Sequence, residues 1–461
     1  MIPLLVAVLG VAALLVFVLL EERRRPDVAL LLAVGITLLD ALLHPHQGEV
    51  PVGPFRPSLG GQDVRPVDLI VVLALGARLL VRGLPRRVTG EGLLWSLFFA
   101  WYAFAGLVGF VRDQPTDFIL FQGKFVLETG GMVVLAAGVP LSRLANRRLV
   151  ARVAHLGGAI AAVLVPLAAA GVSIPVPGLP RAQLGRIAPD AATMLFTVGV
   201  LVLVTAACDR DLRPTVLLGG AAMAMAPFVA DQRAALVGAV PAVLVVLVTI
   251  GGPVWRRRSR VRVAALVPVA ALVLVPIAVA ALRSASSGEG IAAVPVVSRV
   301  TETFDSEQKQ ESAEIRVGLL REGRELAAER PVLGQGLGQP VDIFNSGRPD
   351  AATSIGDFHN IVVDLAVRTG MPGVALLVLA VGATLLAAQR RWTFSVSDLH
   401  AALVLAAGAA LAGLLMKGMF ETIFQKYRLA VFLGLLIGLV AAGGRTADRA
   451  PSAREEVPAW T

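Results

Sequence analysis

The chain has a single cysteine in 461 residues, Cys208. No internal disulfide can close and no cage of thiolates can hold a metal. Cys208 ends an apolar run beside Asp209 and Arg210, which argues against redox chemistry. Charge is scarce too: Asp, Glu, Lys and Arg supply 16% of the residues, while hydrophobic types supply 56%. A soluble domain carries about 25% charge, so this balance excludes an ordinary soluble protein and points to a bilayer. The net charge of +9 would suit a nucleic-acid partner, but about half of the Lys and Arg residues sit in short clusters between apolar runs. No basic stripe with interleaved aromatics occurs, so no nucleic acid is expected. Also missing are a metal-ligand spacing such as H-E-x-x-H, a repeat of 20 to 50 residues, and two halves with matching hydropathy breaks. The first absence predicts metal-independent chemistry with no cofactor; the others weaken an inverted-repeat transporter.

What is present is a succession of apolar runs, each near the roughly 20 residues that a span requires. They predict spans near residues 2–20, 28–43, 67–81, 92–111, 118–139, 150–170, 191–207, 216–230, 234–250, 263–281, 371–388, 401–416 and 429–442. The first has no basic residue before it and no small-residue cleavage site after it, so it reads as an anchor. Basic clusters at 23–25, 82–87, 143–152, 210–213, 256–262 and 390–391 fall on alternate connections. By the positive-inside rule these face the cytoplasm, which puts the N-terminus outside and the C-terminus inside. The expectation is an all-α, polytopic integral membrane protein of about thirteen transmembrane helices, forming one membrane domain over 1–461. A large extracytoplasmic loop, 283–370, is inserted in it, and 444–461 reads as a disordered cytoplasmic tail.

The large loop carries the most distinctive sequence. Residues 306–330 are rich in Glu, Gln, Arg and Ala, with Ile315, Leu319 and Leu326 near one helical face, and Pro331 stops the pattern. This predicts an amphipathic helix over the membrane domain. The next run contains Gly334, Gly336 and Gly338 and is too rich in Gly and Pro for a helix or central strand. It predicts a tight turn whose backbone approaches something closely. Asp357 then reads as the N-cap of a helix starting near His359 and breaking at Gly370 and Pro372. A histidine in a first helical turn feels the positive end of the dipole, which favours the neutral imidazole and its use as a base. Solvation alone is the commoner state of a loop histidine. His44 and His46 bracket Pro45 in a short outer loop, and His155 and His400 fall toward the inner side.

A charge at the centre of a span costs about 2.5 to 3.5 kcal/mol on insertion scales, so each one requires an account. Lys124 with Glu128, and Lys417 with Glu421, are four apart and can neutralise one another on one helical face. Lys124, Lys417, Arg186 and Arg233 all lie toward the outer ends of their spans. Several cations could thus converge under the large loop. Arginine's fork of donors suits phosphate oxygens, so together they favour an anionic, diphosphate-bearing lipid. Singly, each arginine suits a snorkelling role equally well.

These features resemble the O-antigen ligase and Wzy-type polymerase superfamily of bacterial surface-polysaccharide enzymes. The resemblance rests on many spans, an Arg-containing entry to a late-middle span, and a large outer loop. Within the loop it rests on Arg316, Pro331, Gly334-Gln-Gly336, and His359-Asn360 leading through Gly370-Met-Pro372-Gly373 into a span. The signature at 329–373 is the close part, about a tenth of the chain. The resemblance implies a bacterial inner-membrane enzyme that moves a glycan from an undecaprenyl diphosphate donor to an acceptor hydroxyl on a glycan or lipid. It implies inversion at the anomeric carbon without a metal, His359 activating the acceptor, and Arg186, Arg233 and Arg316 holding the diphosphate. Lys124, Lys417, Gly334, Gly336 and Asn360 complete the expected substrate-binding set. The Arg186 segment has Pro189-Asp190 where many relatives have Pro-Asn, and Asp-Gln precedes Arg233. Ligase and polymerase are both compatible. A lipid-linked glycan flippase or transporter is the alternative, and a partner-binding scaffold a third reading.

Overall fold

The structure is a computed structural model. It describes residues 15–43, 58–59, 62–63, 65–83, 89–169, 172, 174–175, 183–184, 187–209, 212–228, 238, 241–242, 307–344, 352–355, 358–394, 398–421 and 423–447. Helix α1 covers 15–24, and α2 (Asp27–Leu43), α3 (Pro66–Arg82) and α4 (Gly90–Val111) follow. Then come α5 (Thr116–Phe125), a π-helical turn (Val126–Gly130), α6 (Gly131–Gly138), α7 (Leu141–Leu144), α8 (Arg147–Ala169), α9 (Pro189–Cys208) and α10 (Pro214–Ala224). Further along, the described residues include α11 (Glu307–Glu329), α12 (Ile361–Phe394), α13 (Asp398–Gly418) and α14 (Tyr427–Ala447).

Among the described residues, seven helices are long and apolar enough to cross a membrane: α4, the α5 to α6 run, α8, α9, α12, α13 and α14. The chain is a multi-pass membrane protein. Helices α2 and α3 have 17 residues each, about 25 Å at 1.5 Å per residue. The spans expected at 234–250 and 263–281 lie largely outside the described residues, as do most of 2–20 and all of 448–461. Positions 444–447, expected in the tail, instead continue α14.

The helices start where the local sequence provides for their free N–H groups. Pro66, Pro189 and Pro214 open α3, α9 and α10, where a missing N–H costs nothing. Thr89 caps α4 by accepting from the Gly92 amide, and the Asp68 carboxylate accepts from the Arg65 amide at 2.9 Å. Helices α9 and α14 run through the middle of the bundle, buried along almost their whole length. Small residues let the backbones touch: a side chain added at Gly158 of α8 would meet the Gly219 backbone of α10. Such contacts suit a medium that supplies no hydrophobic drive between helices.

Among the described residues, strands are confined to connections. There they form three two-stranded antiparallel sheets, β1–β2 (Ser58–Leu59, Gln62–Asp63), β3–β4 (Ile174–Pro175, Gln183–Leu184) and β5–β6 (Val341–Phe344, Ala352–Ile355). They depart from a purely helical expectation, and β5–β6 fills the polar stretch between the glycine run and His359.

The feature that arranges the large loop is a break in α12. Pro372 has no amide hydrogen, and Gly370 turns out of the helix at φ 70° and ψ −179°. The carbonyls just before the break therefore lose their helical partners, and buried carbonyls require others. The Val367 carbonyl accepts from Gln335 N at 2.5 Å and that of Arg368 from Gly336 N at 3.0 Å. The Thr369 carbonyl accepts from Trp101 Nε1 at 2.8 Å. The freed Met371 amide donates to the Pro331 carbonyl at 2.7 Å. The 331–340 loop is thus a plug for the break. Its left-handed glycines, Gly334, Gly336 and Gly338 at φ 63°, 91° and 94°, let it lie flat between α12 and the end of α4. Leu337 N donates to the Ala105 carbonyl at 2.9 Å, and Gly338 N to Gln122 Oε1 at 2.7 Å.

Ahead of the plug, α11 lies on the first half of α12. Leu319, Phe358 and Val367 are buried together, with Leu326, Ala327 and Val363 against them. A side chain on Gly336 would stand 2.5 Å from the Gly109 amide nitrogen. Gly336→Ala is therefore expected to cost at least about 1 kcal/mol in the left-handed conformation alone. It should lower the unfolding temperature in detergent; an unchanged value would mean that docking of the plug does not stabilise the bundle.

Candidate active site

One end of the bundle, the end that carries the plug, holds a seam of buried charge. The Lys417 side chain is fully enclosed at the end of α13. Its ammonium lies 3.0 Å from Glu421 Oε2 and 3.3 Å from Asp190 Oδ1, and 3.5 Å from the Pro189 carbonyl. Lys426, just before α14, meets Glu421 and lies 3.8 Å from Asp190. Two carboxylates and two ammonium groups alternate in a neutral ring. Isolated, any one of them would cost several kcal/mol to bury.

The seam continues on both sides. Arg428 is held by Asp40 of α2 at 2.9 Å, and its Nε donates to the Tyr427 hydroxyl at 3.1 Å. The Arg65 guanidinium lies over the Tyr427 ring, 3.8 Å from its centroid, and 3.6 Å from Glu128. Lys124 pairs with Asp68 at 3.7 Å. The expected pairing of Lys124 with Glu128 is therefore corrected. The π turn Val126–Gly130 breaks the i, i+4 geometry and carries Glu128 to Arg65, leaving Lys124 to Asp68. The expected Lys417–Glu421 pair is present, and Asp190 is added to it across helices.

His359 stands just outside α12. The N-cap is Asn360, whose Oδ1 accepts from the amides of Val362 at 3.0 Å and Val363 at 3.1 Å. His359 therefore precedes the cap instead of sitting in the first turn, and Asp357 lies outside the described residues. The Asn360 amide also donates to the Met419 carbonyl at 2.8 Å, and Ile361 packs on Gly418. These contacts tie the His359 segment to the stretch of chain between Lys417 and Glu421. His359 itself is half-buried and left-handed, at φ 51°. That conformation costs a non-glycine residue about 1 to 2 kcal/mol. Strain of this kind persists where surroundings over-determine it, and it clusters at functional sites.

Arg316 is exposed on α11, one turn before Leu319. Leu319 packs on Phe358, and residues three apart share a helical face, so Arg316 continues the face directed at the start of α12. The structure thus brings His359, Asn360, Lys417 and the α11 face carrying Arg316 to one end of α12. Lys124 belongs to the far side of the seam. Arg186 and Arg233 lie outside the described residues. Gly334 and Gly336 approach protein backbone: their amides donate to the carbonyls of Arg330 and Arg368. Asn360 is likewise committed on both ends of its amide.

Several polar residues here escaped sequence reasoning. Asp364 and Arg368 form a fully buried pair within α12, Arg368 NH2 lying 2.8 Å from Asp364 Oδ1, and Gln425 donates to that carboxylate at 3.3 Å. Their i, i+4 spacing inside an apolar run was the available signal, as for Lys417 and Glu421. Lys426, Arg428 and Arg65 flank spans in sequence and look solvated until the helices are assembled.

Against known proteins, residues 218–378 match the family of O-antigen ligases. The match contains the plug, His359, Asn360, the Asp364–Arg368 pair and the α12 break, so the resemblance read from the loop motifs is shown over this segment. No curated protein matches the chain.

Lys417→Met should cost about 3 to 5 kcal/mol, the penalty for stranding buried counter-charges. Thermal unfolding in detergent would read this, and Lys417→Met with Asp190→Asn should cost clearly less than the sum of the two. Additive losses would show that the two groups do not interact.

Proposed function

We propose that this protein, which carries an O-antigen ligase segment at 218–378, transfers a glycan from an undecaprenyl diphosphate donor to an acceptor hydroxyl at the outer face of a bacterial inner membrane. The observation that carries this reading is the strained, half-buried His359, which Asn360 ties to the chain between Lys417 and Glu421, at the end of α12 faced by the α11 side that carries Arg316. A neutral imidazole there accepts the proton of the acceptor hydroxyl. The oxygen attacks the anomeric carbon from the face opposite the diphosphate, the bond from that carbon to the diphosphate oxygen breaks, and the configuration inverts. The leaving diphosphate takes the electron pair, and cations at this depth stabilise its growing charge. Arg316, exposed on α11, suits this role, and Arg186 and Arg233 are assigned to it from the resemblance. The reaction so written uses no metal or cofactor.

Among the described residues, most buried charges pair off toward helix ends, Glu128 in the middle of the 116–138 span being an exception, which favours the enzyme over a glycan transporter. The basic clusters support an extracytoplasmic loop and a cytoplasmic C-terminus.

His359→Asn removes the base yet keeps a residue that tolerates the left-handed backbone. In a deletion strain complemented at equal membrane level, it should lower glycan transfer by a factor of about 10² to 10⁴, read by gel profiling of surface glycans. Polymer stranded on the lipid carrier would identify a ligase. Single repeat units without a ladder would identify a polymerase. A wild-type profile would remove His359 as the base.

A further inference from the structure

A second feature of the loop end lies away from His359. Asn360 and Gly370 bracket the first part of α12, about 15 Å of helix, and at the Gly370 end the plug meets the end of α4. There Arg112 NH1 donates to the Gly334 carbonyl, and Gly334 N donates to the Arg330 carbonyl at 2.9 Å. Gly334 thus links the Arg112 guanidinium to the backbone of Arg330. Neither arginine has an ion pair among the described residues. The nearest carboxylates along the chain are Asp113, at a left-handed turn, and Glu329, which accepts from Gln335. Partial burial, and after it the charge of Arg330, lower the Arg112 pKa. Two cationic side chains anchored to one turn of the plug, without a carboxylate partner among the described residues, leave an excess of positive charge that an anion would relieve.

Directly below this pair the surface is apolar and open. Leu107 and Val111 on α4, Val332 and Leu333 on the plug, and Met371 at the break are 61%, 83%, 61%, 39% and 56% exposed. Arg112 follows the last residue of α4, a helix fit to cross the membrane. A cation directly after such a span stands at headgroup level, with hydrocarbon beside the apolar face beneath it.

We infer that Arg112 and Arg330 bind the phosphodiester headgroup of a resident anionic bilayer lipid, whose chains lie along Leu107, Val111 and Met371. Arginine's donors fit phosphate oxygens bidentately, the two positive charges complement the anion, and the exposed strip takes its chains. The lipid would pin the plug to the membrane surface. This site is separate from the glycan-transfer site and does not rest on its assignment.

The test is native mass spectrometry of the full chain in detergent, titrated with phosphatidylglycerol or phosphatidylcholine. Wild type should retain one phosphatidylglycerol in preference to phosphatidylcholine. Arg330→Gln should weaken retention about tenfold, the effect of losing about 1.4 kcal/mol, and Arg112→Gln/Arg330→Gln should abolish the preference. Arg330 is exposed, so its variant tests the site without disturbing the plug, and His359→Asn should bind as wild type does. Equal retention of both lipids, or no change in Arg330→Gln, would overturn the assignment. Displacement by millimolar inorganic phosphate would show a site for the phosphate group alone, and stronger competition by a polyprenyl phosphate would give the site to a carrier lipid; either result also overturns it.

Discussion

The loop end of this protein depends on four hydrogen bonds at the break in α12. Pro372 and Gly370 interrupt a buried helix, and an interrupted helix in apolar surroundings must find new partners for its backbone. Gln335, Gly336 and Trp101 donate to the three stranded carbonyls, and the Pro331 carbonyl takes the stranded amide. One consequence is that the 331–340 plug has a single docking position. Another is that α11, immediately before it, is set down on the first half of α12. His359 and Arg316 are therefore brought to the same place by a defect in a helix some ten residues away.

The charges at this end are of two kinds, and burial separates them. Lys417, Asp190, Glu421 and Lys426 form a closed ring whose members cancel, and Arg368 with Asp364 cancel within one helix. Such groups fix how helices meet, because no other register satisfies them. Arg316, Arg112 and Arg330 lie nearer the surface with charge to spare, and these suit anionic lipids. Asp190 illustrates the difference. It supplies the carboxylate that lets Lys417 be buried.

Much of this was legible in residue order. The apolar runs at 92–111, 118–139, 150–170, 191–207, 401–416 and 429–442 all correspond to helices, because a helix in lipid must be apolar over its length and shows this directly. The α11 helix and its stop at Pro331 followed from periodicity and one proline. The break at Gly370 and Pro372 was also visible, yet what filled it was not. Gly334 and Gly336 were expected in a substrate-binding set, whereas the Gly336 amide serves α12, that of Gly334 the Arg330 carbonyl and that of Gly338 the Gln122 side chain. Glycine spacing reports that backbone comes close to something, and does not report what.

The sequence by itself determined that the chain is a multi-pass membrane protein with an O-antigen ligase-like loop segment, and it singled out the histidine there. These properties reside in composition, run length and local order, which survive without a fold. Only the tertiary structure decided that Asn360 and not a preceding aspartate caps α12, that Lys124 answers to Asp68, and that Asp190 reaches Lys417 from another helix. Each of these is a choice among partners distant in the chain or equivalent in spacing. The choice is settled by which groups burial deprives of water and which neighbours remain within hydrogen-bonding reach.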